Sequence, residues 1–243
     1  NKLVIGNERY LATWDATTYD PHRLTLPSGY RIRCLGFWRE YLAIGTWKGT
    51  NITDYDQGRI FFWDGTSDTY NFYIDVPEGG INAMKGTKGL LYIIAGYSGD
   101  LLLYAGGDSA QKIKRIPKIS TDTYVEVFPG SIEMWRTLLH MGISGNSDST
   151  TIEKGAYVWG SLNRNYEESL SYDYPISTGI RTGTDVKVGM LIAVGRKLLM
   201  GWQSGTGFGI DAIDPTGDCF ADGTYEYLIS DMTGLSFSKL PLV

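Results

Sequence analysis

Apolar residues recur along this chain in short runs of three to six, each opened by a basic residue and closed by a glycine. The phrase reads Lys2-Leu3-Val4-Ile5-Gly6, then Arg39-Glu40-Tyr41-Leu42-Ala43-Ile44-Gly45. It returns as Lys88-Gly89-Leu90-Leu91-Tyr92-Ile93-Ile94-Ala95-Gly96, as Arg136-Thr137-Leu138-Leu139-His140-Met141-Gly142 and as Arg196-Lys197-Leu198-Leu199-Met200-Gly201. Runs of this length, bounded by turn residues, predict strands rather than helices. The closing glycines stand 39, 51, 46 and 59 residues apart. A repeat of about 40–50 residues in a chain of short strands is the mark of a β-propeller.

A second set of landmarks gives the same period. Trp14, Trp63, Tyr104, Trp159 and Ile210 each sit in the strand after the glycine, at intervals of 49, 41, 55 and 51. The repeat therefore predicts four strands per unit. The second unit shows it best, with strands at 30–38, 41–47, 58–63 and 69–76. The third follows at 80–85, 90–97, 100–104 and 110–119. The fourth has 131–135, 137–143, 155–159 and 168–176, and the fifth 185–194, 197–202, 207–213 and a strand within 224–230.

The first unit opens on its second strand, at 2–6, and continues at 9–14 and 23–26. Residues 234–243 have strand-like content with no glycine-closed run after them. Unpaired strands at both ends would leave open sheet edges, which proteins avoid. The expectation is one all-β domain over 1–243, a propeller of five four-stranded blades. Residues 235–243 would supply the first strand of the opening blade; the competing expectation is a larger propeller, cut by truncation or completed by another chain. The blades fall at about 1–28 plus 234–243, 30–78, 80–120, 123–178 and 185–232.

Composition agrees with this picture. Aromatics make up 13% of the 243 residues, with 17 Tyr and 7 Trp, and 31 glycines supply turns. The formal net charge is −5, with both signs interspersed and no Lys/Arg run, so nucleic acid is disfavoured as a partner. No apolar stretch approaches the 18 residues of a membrane-spanning helix, and no membrane insertion is expected. Cys34 and Cys219 lie 185 positions apart, without metal-ligand spacing, and read as two idle thiols.

Catalytic chemistry is thinly represented. The chain has two histidines, His22 in a turn-rich connection and His140 inside a strand. They offer no metal cluster, no cofactor is expected, and no nucleophile elbow is present. A glycoside hydrolase needs two placed carboxylates on the inner strands. The predicted inner strands offer Glu40 at a turn, Glu133 and Asp185. Asp54-Tyr55-Asp56-Gln57-Gly58 echoes a calcium loop but lacks the further oxygen ligands. The expectation is a non-enzymatic protein. Aromatics just after the glycines are the better ligand-binding candidates. Trp47, Tyr97 and Trp202 fall near one rim of the disc, where large rings with a polar handle could hold sugars or a protein. The competing reading packs these rings between blades.

Trp14-Asp15 and Trp63-Asp64 look like the dipeptide of WD40 repeats, but no Gly-His pair accompanies them. Double glycines at Gly79-Gly80 and Gly106-Gly107 lack the aromatics of kelch repeats. The segments Tyr41-Leu42-Ala43-Ile44-Gly45-Thr46 and Gly58-Arg59-Ile60-Phe61-Phe62-Trp63-Asp64-Gly65 resemble the propeller portions of bacteriophage virion proteins, particularly tail proteins. The resemblance covers roughly 30–120. It implies a structural or host-recognition component of a virion, with other virion proteins or a host surface glycan as partners. A homo-oligomer is compatible with it. Insertions at 48–57, 145–154 and 179–184 would supply contacts from a rigid frame. The alternative class is a lectin-type carbohydrate-binding propeller, and after it a glycoside hydrolase.

Overall fold

The computed structural model describes residues 2–49, 57–116, 124–146, 154–161, 167–177 and 186–214. Among them every regular element is a strand, and the strands form five antiparallel sheets in sequence order. Blade 1 holds β1 (Leu3–Asn7), β2 (Tyr10–Trp14) and β3 (Tyr19–Thr25). Blade 2 holds β4 (Tyr30–Trp38), β5 (Tyr41–Lys48), β6 (Gly58–Trp63) and β7 (Phe72–Val76). Blade 3 comprises β8 (Ile81–Thr87), β9 (Leu90–Ala95), β10 (Asp100–Tyr104) and β11 (Gln111–Arg115). Blade 4 comprises β12 (Tyr124–Trp135), β13 (Leu138–Asn146), β14 (Gly155–Gly160) and β15 (Ser169–Pro175). Blade 5 contributes β16 (Val186–Val194), β17 (Lys197–Ser204) and β18 (Gly207–Ile213). Each sheet is a simple meander, and the molecule is an all-β propeller.

Four buried apolar clusters hold the blades together, one at each interface from blade 1 to blade 5. Between blades 2 and 3, Trp38 packs against Tyr104 and edge-on to Phe62, at 4.8 and 5.4 Å between ring centroids. Its indole Nε1 donates to Gly89 O of the neighbouring hairpin at 2.8 Å. An indole in an apolar seam needs such an acceptor, and here the next blade supplies it.

Register shows which positions are equivalent. Leu3, Leu42, Leu91, Leu139 and Leu198 pair with Trp14, Trp63, Tyr104, Trp159 and Ile213. Two sequence landmarks are corrected by this. In blade 5 the equivalent of Trp63 is Ile213, three residues beyond Ile210. In blade 3 the glycine position is taken by Ile94, while Gly96 lies past the strand in a turn with φ of 74°. The glycine there serves a turn that L side chains rarely adopt, not the strand itself.

A rule emerges for the inner strands. In each of β4, β8, β12 and β16 the ladder slips, just after Ile32, Ile81, Val127 and Val188. These β-branched residues project onto the preceding blade. A Cβ at Gly6 would lie 2.5 Å from Ile32 Cγ2. At Gly45 it would lie 2.7 Å from Ile81 Cγ2, and at Gly142 2.3 Å from Val188 Cγ1. Val127 instead shares a buried cluster with Ile94 and Ala83. Glycine closes the apolar run because a branched side chain from the next blade occupies the space a Cβ would need.

The Trp-Asp dipeptides also have a structural role. Asp64 Oδ1 accepts from the backbone N–H groups of Thr66 and Ser67 and from Thr66 Oγ1, and Oδ2 accepts from Ser67 Oγ and Asn71 Nδ2. Asp15 does the same with Thr17 and Thr18. Side-chain and backbone donors at Ser67 lead in holding the Asp64 carboxyl well below the usual range. Both dipeptides form Asx turns at the ends of β2 and β6.

Hairpin chemistry yields one prediction. The turn Lys88-Gly89 has both residues at positive φ, as a type I′ turn requires. The equivalent turn in blade 4 is Arg136-Thr137, with φ of 52° and 72°. A β-branched residue there is strained, and Thr137 is exposed with nothing to compensate. Thr137→Gly is expected to raise stability by about 1 kcal/mol, or about 2–4 °C in Tm. Thermal denaturation against the parent checks it.

Candidate functional site

The inner strands β4, β8, β12 and β16 converge on the axis of the disc. A cavity of about 430 Å³ opens there, walled by all four strands through Leu35–Phe37, Met84–Gly86, Ile132–Glu133 and Met190–Ile192. Its charged groups are Lys85 and Glu133. Lys85 Nζ lies 2.7 Å from Glu133 Oε1, which also accepts from Met134 N at 2.9 Å. Glu133 is thus tied to blade 3 by a cation and to its own strand by a backbone donor.

A second pair spans the channel itself. Arg33 Nη2 of β4 donates to Glu126 Oε1 of β12 at 2.9 Å, joining blades 2 and 4. Both side chains are largely buried, at 23% and 12% exposure. Arg33 is the extra residue where β4 slips against β5, so the irregularity aims its guanidinium inward. Burial pushes the Glu126 carboxyl up, and the charges of Arg33 and Lys187 only partly oppose this. Sequence reading missed both residues. The local signal was present: Ile32-Arg33-Cys34, Ile81-Asn82-Ala83 and Val188-Gly189-Met190 share one branched–any–small-or-soft pattern.

The predicted site residues separate on inspection. Trp47 is half-buried on β5, paired with Arg31 and Gly58. Tyr97 lies in the turn after β9, and its carbonyl accepts from Val125 N at 3.0 Å. Trp202 lines a cavity of about 480 Å³ on blade 5, with its ring over Gly209. Trp47 follows its strand glycine by two residues and Trp202 by one, so period-2 alternation places them on opposite faces. All three lie at or just past the C-terminal end of their strands, β5, β9 and β17, but the two tryptophans take opposite sheet faces. Neither Trp47 nor Tyr97 lines either cavity. Asp185, Cys219 and most of the 54–58 segment lie outside the described residues, as do 215–243 with the expected closing strand.

The remaining candidates are held structurally. His140 is buried between Trp135 and Tyr174, its Nδ1 is 3.1 Å from Leu138 O, and burial lowers its pKa. That leaves a neutral ring within a strand. His22 stacks on Tyr10 at 4.4 Å. Burial pushes the Cys34 thiol up to about 12 against the opposing charge of Arg33, so it is inert as a nucleophile. Asp100 is buried, and burial alone would raise its pKa, but Arg115 and Lys112 at 2.8 Å each outweigh this and hold it low. Among the described residues no group of three or more His, Cys, Asp or Glu could hold a metal ion.

No protein-family model and no curated protein matches the sequence. Solved structures match the fold. One is the extracellular domain of a protein from B. thetaiotaomicron described as a one-component system, with a TM-score of 0.56 and 14% identity. The match covers 88% of this chain and 25% of that one. The computationally designed Ika8 protein gives a TM-score of 0.54 at 14% identity, over 88% of this chain and 56% of that one. The Dos1 propeller gives 0.51 at 12% identity, over 88% and 51%. The chain thus spans between a quarter and a little over half the length of these structures. At such identities the likeness defines the fold alone.

Proposed function

We propose that this propeller is a non-enzymatic binding and assembly module, and specifically a tail-associated structural or host-recognition component of a bacteriophage virion. The observation that carries the non-enzymatic reading is the pairing of the inner-strand acids. Glu126 and Glu133 are each bonded to a cation from another blade, an arrangement that supports a role for both acids in tying blades together. A retaining or inverting hydrolase requires two carboxylates free to address one glycosidic bond. The virion assignment rests on the resemblance of the 41–46 and 58–65 segments to tail propellers. An axis cross-linked by ion pairs, with individual loops, suits a rigid frame that presents contacts.

A lectin-type reading is favoured by one feature, the cavity beside Trp202, where Phe208, Ile210 and Gln203 offer apolar and hydrogen-bonding walls. The deciding experiments are compositional and chemical. Mass spectrometry of purified particles is expected to find this chain in the tail fraction. Glycan-array binding lost on Trp202→Ala, with no particle association, would instead establish the lectin. Saccharide turnover abolished by Glu133→Gln would overturn both.

A further inference from the structure

Four of the basic residues that open the apolar runs share one place in the fold. Arg39, Lys88, Arg136 and Arg196 stand in the hairpins that join inner to second strands in blades 2 to 5. Each lies two to four residues beyond the last cavity-wall residue of its inner strand, Phe37, Gly86, Glu133 or Ile192. The four turns therefore rim one mouth of the axial cavity. Those of blades 2 and 3 touch, since a Cβ at Gly89 would lie 4.0 Å from Arg39 Nε, and Trp38 Nε1 donates to Gly89 O. Arg39 and Arg136 are steadied by Trp38 and Trp135, with each guanidinium 4.4 and 4.9 Å from the ring centroid.

Charge and backbone set these four apart. Eight other cations, from Arg23 to Lys197, lie within 3.6 Å of a carboxylate. The four hairpin cations are all exposed, and none has a carboxylate partner among the described residues. Glu40 is the one acid in the four turns, on a chain of net charge −5. Arg39, Lys88 and Arg136 have φ of 53°, 45° and 52°, a left-handed conformation that hairpins ordinarily give to Asn, Asp or Gly. In blade 5 Gly195 takes that conformation, with φ of 59°, and Arg196 follows it. A long cation thus recurs where the backbone disfavours one, an outlier of the kind that collects at binding surfaces.

Inside the rim the walls are mostly apolar, with Leu35, Phe37, Met84, Ile132, Met190 and Ile192 among them, and Phe37 is 70% exposed. The charged groups there, Lys85 and Glu133, are bonded to each other. A saccharide would bury hydroxyls against walls with few hydrogen-bonding side chains. A nucleic-acid backbone follows a track of cations, not a ring around an apolar hole. A large apolar side chain flanked by carboxylates matches both the positive rim and the apolar interior. We propose that this mouth docks an acidic segment of a protein partner. One large apolar side chain of that segment enters the cavity, and its carboxylates meet Arg39, Lys88, Arg136 and Arg196. This partner chemistry rests on the reading of the propeller as a binding and assembly module.

The probe is a fluorescein-labelled peptide of one Trp with three Glu on each side, titrated against the 243-residue chain by fluorescence anisotropy. Saturable binding is expected. It should weaken at least tenfold in the Lys88→Glu/Arg136→Glu double variant, at least threefold in Arg196→Glu alone, and at least fivefold when the peptide's Trp is replaced by Ala. Lys114→Glu, on the outer strand of blade 3, reverses a charge away from the mouth and is expected to change affinity less than twofold. Melting curves check that the variants fold, as exposed turn positions allow. Absence of saturable binding by the parent would overturn the proposal, as would a loss in Lys114→Glu as large as that in Arg196→Glu. Displacement of the peptide by polygalacturonate or duplex DNA at equal charge concentration would assign the ring to a glycan or a nucleic acid and overturn it too. Recovery of the chain from tail particles is independent of these titrations, so the virion reading and this partner chemistry fail separately.

Discussion

Gly86→Ala is expected to lower stability by about 3 kcal/mol, or about 6–12 °C in Tm, with the fold otherwise retained. Gly86 lies in β8, where an added Cβ would stand 1.6 Å from Phe37 O and 2.8 Å from Phe37 C. Both are backbone atoms of β4 in the blade before. No rotamer change can clear a backbone carbonyl, so the two blades must part. Parting them disturbs the cluster that holds Trp38, Met84 and Tyr104. The control is Gly189→Ala. A Cβ at Gly189 meets nothing within 4 Å, and its φ is outside the left-handed region. That variant is expected to stay within about 0.5 kcal/mol of the parent. Equal losses in the two variants would mean that the effect does not come from the approach of β4 to β8.

Much of this architecture was legible in the chain, and the reasons are local. Strands 30–38, 58–63, 100–104 and 207–213 end where predicted, because each is bounded by Gly, Asp or a two-residue hairpin turn. Landmarks slipped where a turn and a strand both wanted glycine. Gly96 marks a turn, and Ile94 holds the position the other blades give to glycine. β12 was read as 131–135 but runs from Tyr124 to Trp135. The missing part is hidden by Phe128-Pro129-Gly130-Ser131, where the ladder slips between Val127 and Ile132. Proline is confined to edges and bulges in sheets, so its presence argued wrongly for a loop.

The candidate site was less legible. Glu133 was found because it stands in a short, clearly bounded apolar strand. Arg33 and Glu126 were not, because their partnership spans 93 residues and exists only once blades 2 and 4 face each other across the axis. The aromatics Trp47, Tyr97 and Trp202 were grouped by their nearness to glycines. Period-2 alternation separates Trp47 from Trp202, and a turn removes Tyr97 from the strand. Pattern matching along a strand needs the register before it can assign faces.

The second large effect concerns the pair at the axis. Removing one partner leaves the other charge largely buried, so Arg33→Met and Glu126→Leu are each expected to cost about 2–3 kcal/mol. Arg33 suffers more from isolation, because its Nε is already buried and has no partner among the described residues. Removing both partners leaves two apolar side chains on inner strands that pack toward each other. The double variant is therefore expected to be more stable than the sum of the single losses. Chemical denaturation of the four proteins measures this.

That cycle also tests the radial arrangement most directly, because the two residues belong to sheets that are not neighbours in the chain. A ring that brings β4 and β12 together across its axis predicts a coupling of about 1–3 kcal/mol between Arg33 and Glu126. Losses that add to within about 0.3 kcal/mol would place the two strands apart and contradict the propeller as described.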